Sequence, residues 1–356
     1  MHRLSLLSPL GAAALLGVAF LLPSTLALNL LCVIALVAAV LAAVHHAELL
    51  AHRMGEPYGT LVLALAVTVI EVALILSMML AGGPDKATLT RDTIFSTLMI
   101  ICNGVVGLCL LVGGMRHKEQ VFRIEGASTS LATLMAMSTL TLVLPRFTTS
   151  TLEASYAPSQ LAFAAAMSLL LWLLFIFVQT VRHRDYFLPA MHDADPEEAH
   201  AQPPSNRQAW ASGALLLVAL VSVVGLAKVL SPRIETALAA AGAPPAVLGI
   251  VIAMLVLLPE TVAAVRAARA NRLQTSLNLA YGSALASIGL TIPAVAVAAL
   301  MLDLPLLLGA EAKELVLLLL TFLVSSLTLA LGRTHAMQGA VHLVIFAAFL
   351  FLALVP

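Results

Sequence analysis

The sequence predicts an all-α integral membrane protein of about 11 transmembrane helices. Of its 356 residues, 61% are hydrophobic and only 10% are charged, which a soluble domain of this size neither needs nor tolerates. Polar breaks divide the chain into windows of roughly 20 mostly apolar residues, the length that a membrane span requires. The period-2 alternation of a membrane barrel is absent, so we expect every span to be a helix.

Eleven windows are predicted to cross the membrane. The first follows Arg3 as a signal peptide would, but no clear small-residue cleavage site precedes the next window, so we interpret it as a helix. The windows fall at 6–22, 26–46, 58–81, 93–115, 126–146, 158–181, 209–230, 245–268, 273–301, 314–331 and 337–356.

Charge and cysteine content exclude several functional classes. Lys and Arg number 18 and Asp and Glu number 18, so there is no basic surface for nucleic acid, and the apolar composition excludes disorder. The cysteines lie inside apolar windows, which predicts reduced thiols acting as small core residues rather than disulfides. They are Cys32, Cys102 and Cys109.

The basic residues predict the orientation in the membrane. With the N-terminus in the cytoplasm, the inner side collects 12 of the 18 Lys and Arg residues and the outer side collects six. Because inner loops carry the excess of positive charge, this bias favours a cytoplasmic N-terminus over the inverse topology. A bacterial inner membrane is the predicted location.

An acidic stretch divides the chain into two halves. Residues 182–208, predicted to be a cytoplasmic loop, separate five spans in 26–181 from five in 209–356, with 1–25 as an extra N-terminal helix. An odd number of spans per half places two homologous halves in opposite orientations. Inverted-repeat transporters are built in this way.

Two glutamates lie in the middle of predicted spans. Glu71 is in window 58–81 and Glu260 is in window 245–268, whereas the other acidic residues lie in loops or near span ends. A charge at the bilayer centre costs about 2.5–3.5 kcal/mol on insertion scales, so such groups are kept neutral, hydrated or bound to a ligand. A structural hydrogen bond between helices is the alternative, but two glutamates at matching depth favour a functional role.

Oxygen atoms near Glu71 and Glu260 could add ligands to a cation site. Thr68 lies one helical turn before Glu71, on the same face. Pro259 removes a backbone donor and frees a carbonyl near Leu255, which suits a hard cation; a simple packing kink is the alternative interpretation.

Longer motifs carry a family resemblance. The segment 242–293 contains the acidic helix, the basic turn 266–272 and Gly282-Ser283-Ala284 through Pro293, and the chain also has Gly55-Glu56-Pro57-Tyr58-Gly59 and Gly332-Arg333-Thr334. The segment resembles the second α-repeat of calcium/proton exchangers. The whole chain is similar to bacterial ChaA-type calcium or sodium/potassium–proton antiporters, in the CAX branch of the cation/calcium exchanger superfamily.

The resemblance implies one essential glutamate in each repeat, Glu71 and Glu260, both coupled to protons. The family's Gly-Asn-x-x-Glu pattern is replaced here by Val67-Thr68-Val69-Ile70-Glu71 and Val256-Leu257-Leu258-Pro259-Glu260, and the sequence leaves Ca²⁺, Na⁺ and K⁺ open as the substrate. The predicted cation ligands are Glu71, Glu260, Thr68, Asn103, Ser283 and Ser287.

The predicted function is secondary active antiport that exports Ca²⁺ and/or Na⁺/K⁺ in exchange for protons. Proton and cation would compete for the paired glutamates while the two halves alternate access. No cofactor is predicted beyond the transported ions, and the oligomeric state is left open. A cation channel or a non-transporting scaffold is the alternative. An intramembrane hydrolase is disfavoured, because His-Glu-x-x-His is absent and no aspartate lies in a mid-span position.

Other features admit two interpretations. A histidine cluster near Glu48 suits a lipid interface better than a metal site, and His342 suits a packed neutral imidazole better than a proton relay. The acidic loop is interpreted as a solvated linker, with cation sensing as the alternative. The cluster comprises His45, His46 and His52.

Overall fold

The computed structural model describes residues 2–22, 25–54, 58–151, 154–188, 205–240, 242, 244 and 246–355, most of which are helical. The apolar windows dictate this outcome, because only helices satisfy backbone groups within each segment. The helices are α1 (His2–Leu21), α2 (Leu26–Met54), α3 (Tyr58–Gly82), α4 (Leu89–Met99), α5 (Val106–His117), α6 (Ile124–Ser138), α7 (Pro158–Phe177), α8 (Asn206–Ala240), α9 (Ala246–Arg269), α10 (Leu273–Ala286), α11 (Ile292–Leu302), α12 (Ala312–Leu329) and α13 (Ala336–Leu354).

Two pairs of helices each form one continuous span. A π-helical segment, Ile100–Val105, joins α4 to α5, and a second, Ser287–Thr291, joins α10 to α11. Among the described residues, 10 helical segments are long and apolar enough to cross a membrane, and α1 contains a shorter apolar helix, Leu7–Leu21. Every predicted window therefore corresponds to a helix. The Gly55-Glu56-Pro57 motif and loop residues 189–204 lie outside the described residues.

Several helices are longer than their windows. The second span continues to Met54 rather than ending at residue 46, and the fourth begins at Leu89 rather than at residue 93. The earlier start has a local cause. The Thr88 hydroxyl donates to the Asp92 carboxylate at 3.0 Å, and the Asp92 N–H donates to the Thr88 carbonyl at 2.9 Å, so polar residues complete the first turn.

A short antiparallel pair of strands was not predicted. The strand β1 (Glu119–Val121) pairs with β2 (Arg333–His335), and Gln120 lies opposite Thr334. Gln120 is 2% exposed, and its amide donates to the Ala268 carbonyl at 2.9 Å. Three residues per strand are too few to produce a recognisable alternation in the sequence.

The contacts divide the chain into two compact units. Unit 1 comprises residues 1–86 and 197–245, which contain α1, α2, α3 and α8. Within it, α2 packs against the other three helices. Gly225 lets α1 approach α8, because a Cβ atom there would lie 2.4 Å from a methyl group of Leu16. The Arg233 guanidinium donates to the Asn29 side chain and links α8 to α2.

Unit 2 comprises residues 87–196 and 246–356 and contains the remaining helices and both strands. Close packing of α5 on α13 depends on small residues, as is common in membranes. A Cβ atom at Gly339 would lie 2.3 Å from the Leu111 nitrogen, and one at Gly107 would lie 2.9 Å from the Cβ atom of His342. The three cysteines are buried free thiols, as predicted.

An ion-pair cluster joins α4 to α12 within unit 2. The Arg91 guanidinium lies 2.8 Å from the Asp92 carboxylate, 3.5 Å from Glu311 and 3.9 Å from Glu314. Asp92 is 5% exposed and Glu314 is 6% exposed. Separating the two helices would leave these buried charges without their partners, which is energetically costly. The cluster therefore links the start of α4 to the start of α12.

Candidate functional site

Glu260 lies near the middle of α9, which continues through Pro259 without interruption. Its cavity has a volume of about 10 Å³, close to the minimum that holds one water-sized guest. Three of the residues around it, Glu260, Thr261 and Ser283, carry side-chain oxygens, whereas the surface of the cavity itself is apolar. The cavity is lined by Ile101, Val105, Leu257, Glu260, Thr261, Ala280 and Ser283.

Ser283 is the predicted ligand that the structure places with Glu260. It lies on α10, which packs against α9, and both side chains line the cavity. On α9, the Thr261 hydroxyl donates to the Leu257 carbonyl at 2.7 Å. Pro259 has no N–H, so the Leu255 carbonyl receives no helical hydrogen bond from it. One residue with a carboxyl group and two with hydroxyl groups therefore lie around a single small cavity.

Glu71 is the residue predicted to correspond to Glu260 in the first repeat. It lies near the middle of α3 and is 3% exposed, and Thr68, one turn earlier, is 6% exposed. Residues three positions apart share a helix face, so the carboxyl and hydroxyl groups lie on one buried face of α3. The predicted pairing of Glu71 with Thr68 is compatible with this arrangement.

Asn103 faces away from the Glu260 cavity. It lies in the π segment Ile100–Val105 and is 0% exposed. Its amide nitrogen donates to the Thr321 hydroxyl at 2.8 Å, and its oxygen lies 3.1 Å from Nδ1 of His342. Ser287 begins the other π segment and is 6% exposed, but it does not line this cavity either. A ligand role for Asn103 or Ser287 remains a prediction.

Two histidines of α2 contact one another in the described structure. The rings of His45 and His46 meet edge to face, with centroids 5.6 Å apart. Across the part of the chain that the structure describes, no group of three His, Cys, Asp or Glu side chains could hold a metal ion.

Two parts of the site escaped sequence analysis. Thr261 immediately follows Glu260 in the sequence, and this position next to the glutamate could have identified it as a residue of the cavity. The bonds that Asn103 makes with Thr321 and His342 join residues 218 and 239 positions apart. Such long-range pairings leave no trace in local hydropathy, so a single sequence could not reveal them.

Comparison with known proteins shows the family. The sequence profile described as "Sodium/calcium exchanger protein" matches residues 24–181 and 211–355, most of the described chain. The chain belongs to the sodium/calcium exchanger protein family.

The chain is also similar to two known relatives and to one solved structure. The sodium-potassium/proton antiporter ChaA of Escherichia coli is 34% identical over 330 residues, covering 92% of this chain and 89% of that protein. The protein y4hA of Sinorhizobium fredii is 49% identical over 321 residues, covering 90% and 87%. The structure of native YfkE matches with a TM-score of 0.74 at 17% identity and covers 99% of this chain and 100% of that one.

These matches bear out the predicted fold class and superfamily. The exchanger is an integral membrane protein with an inverted repeat of five plus five helices and an extra N-terminal helix, in the CAX branch of the cation/calcium exchangers. Members of this family are transporters, and cations and protons are the species that such antiporters move.

Proposed function

We propose that this exchanger exports Ca²⁺ and/or Na⁺ or K⁺ in exchange for protons, and that Glu71 and Glu260 carry both ions in turn. The observation that supports this most directly is the Glu260 cavity. Glu260 and Ser283 both line it among apolar side chains, and Glu260 lies near the middle of a membrane-spanning helix.

The chemistry of a buried carboxyl group underlies the proposal. An ionised carboxylate is costly in an apolar environment unless a proton or a cation compensates its charge. A proton bound to the carboxyl group and a cation bound to the carboxylate are therefore two alternative loads. Exchange follows if one load must leave before the other binds.

The two repeats supply the second half of the mechanism. Glu71 lies mid-helix in the first repeat, 26–181, with Thr68 on its face, and Glu260 lies mid-helix in the second, 209–356. Inverted repeats permit alternating access, because the two halves can exchange roles between the two sides of the membrane. We propose that the N-terminus lies in the cytoplasm and that the protein resides in a bacterial inner membrane.

The number of protein oxygens bears on the substrate. Ca²⁺ takes 6–8 oxygen ligands, and the residues around the Glu260 cavity carry one carboxyl group and two hydroxyls. Because the cavity admits about one water-sized guest, Ca²⁺ would need further ligands from outside it, whereas Na⁺ or K⁺ needs less negative charge. ChaA, which is named for sodium, potassium and protons, supports the inclusion of monovalent cations.

Proteoliposomes test the proposal. Purified exchanger is reconstituted with a trapped pH dye, and Ca²⁺, Na⁺ or K⁺ is added in turn on the opposite side. We expect proton movement opposite to the cation, absent from liposomes that contain the Glu260→Gln variant. Cation flux without proton movement would contradict antiport and would indicate the channel alternative.

A further inference from the structure

A series of hydrogen bonds between buried polar side chains lies in unit 2 beside the proposed cation cavity. Nε2 of His342 lies 3.1 Å from the Thr328 hydroxyl, and Nδ1 lies 3.1 Å from Oδ1 of Asn103. Asn103 then donates to Thr321 at 2.8 Å. His342, Asn103 and Thr321 are each 0% exposed. This series of hydrogen bonds therefore joins α12 and α13 to the π segment between α4 and α5.

The hydrogen bonds of Asn103 determine the role of Nδ1 of His342. Because the Asn103 amide nitrogen donates to Thr321, its oxygen faces His342 and must accept. Nδ1 of His342 is therefore the donor, and in a neutral ring Nε2 accepts from the Thr328 hydroxyl. A neutral ring with the proton on Nδ1 satisfies both contacts, which supports the packed neutral imidazole expected from sequence.

The π segment lies between this series of hydrogen bonds and the cavity. Asn103 faces α12 and α13, while Ile101 and Val105 line the cavity together with Glu260 and Ser283. Segments of π-helix are rare and occur often at functional sites. A shift of Asn103 would therefore be transmitted through the backbone of the π segment to Ile101 and Val105, which line the cavity.

Close packing brings α13 beside the π segment. Gly107 follows the π segment, and a Cβ atom there would lie 2.9 Å from the Cβ atom of His342. A Cβ atom at Gly104 would lie 3.3 Å from the ring of Phe346. α13 thus packs directly against the helical stretch that carries Asn103.

We propose that His342 is a positioning residue for cation binding: its Nδ1–H holds Asn103, and through the π segment it sets the shape of the Glu260 cavity. The inference deepens the proposed function and rests on it. Positioning of this kind acts on apparent cation affinity rather than on folding.

Two substitutions separate the two hydrogen bonds of the ring. The amide nitrogen of His342→Asn occupies a place close to Nδ1, so it retains the donor to Asn103 and loses the contact with Thr328. The amide of His342→Gln reaches the place of Nε2, so it retains the Thr328 contact and loses the donor to Asn103. Asparagine is the smaller residue and leaves the larger void, which costs more stability.

The variant with the weaker cation affinity should therefore be the more stable of the two. We expect His342→Gln to weaken apparent cation affinity by roughly 2- to 12-fold, the effect of one lost hydrogen bond, with its maximal rate retained. We expect His342→Asn to keep nearly wild-type affinity despite the lower thermal midpoint of the two. Equal affinities in the two variants, or affinities that follow the thermal midpoints, would overturn the inference.

A second measurement is independent of transport. Cys102 adjoins Asn103 and is 0% exposed, so its alkylation rate in a Cys32→Ser/Cys109→Ser background reports opening of the π segment. We expect faster alkylation in His342→Gln than in His342→Asn, and equal rates would contradict the hold on Asn103. A wild-type protein without proton-coupled cation uptake would refute the proposed function, and the alkylation rates would still decide whether His342 holds this segment.

Discussion

Ser283 on α10 and Glu260 on α9 line the same cavity, where these two helices pack together. If the Ser283 hydroxyl is a cation ligand, Ser283→Ala should weaken apparent cation affinity by roughly 2- to 12-fold, as expected for one net interaction of about 0.5–1.5 kcal/mol. Initial rates of cation uptake over a range of concentrations in proteoliposomes measure this change.

The matched control is Ser130→Ala. The Ser130 hydroxyl donates to the Gly126 carbonyl of its own helix at 2.9 Å, and Ser130 does not line the cavity. Its replacement should leave cation affinity unchanged. An equal loss of affinity in both variants would assign the effect to general packing and remove Ser283 from the site.

The two glutamates should be individually indispensable. Glu71→Gln and Glu260→Gln retain the shape of the side chain but lose both the charge and the exchangeable proton, so each variant should transport no faster than protein-free liposomes. Both should remain folded in the membrane, as judged by gel filtration in detergent. Substantial exchange by either variant would exclude that glutamate from the mechanism.

The acidic loop should be dispensable for transport itself. Deleting residues 190–204 removes a segment between the predicted spans whose carboxylates cannot reach mid-membrane. We expect altered cation affinity or regulation with exchange retained. Complete loss of exchange by a well-folded deletion variant would show that the loop takes part in the transport cycle.

Helix packing gives a prediction about stability. At Gly339 an added Cβ atom would lie 2.3 Å from the Leu111 nitrogen, so Gly339→Ala must push α13 away from α5 and should cost about 1–3 kcal/mol, as overpacking does. Gly213→Ala on α8 meets nothing within 4 Å and should be neutral or slightly stabilising. Thermal unfolding in detergent compares the two, and equal midpoints would refute the close approach.

Hydropathy was sufficient to predict the spans, because each membrane crossing needs a long apolar helix of its own. The mid-span glutamates were equally visible, since a buried charge stands out in an apolar window. Asn103 was harder, because its neighbours come from helices more than 200 residues away. The start of α4 was missed because Arg91 and Asp92 look like loop residues until Glu314 of α12 compensates the charge of Arg91.

Competition between protons and the cation is the central claim, and the pH dependence of cation affinity tests it most directly. Lower pH fills the glutamates with protons, so apparent affinity should weaken by up to roughly tenfold per pH unit for each competing proton. Maximal rates at saturating cation should stay equal where proton release is not limiting. Initial cation uptake is measured from pH 6 to pH 9 at several cation concentrations. Affinity that falls steadily as protons are added supports shared carboxylates, whereas affinity independent of pH over that range would contradict the mechanism.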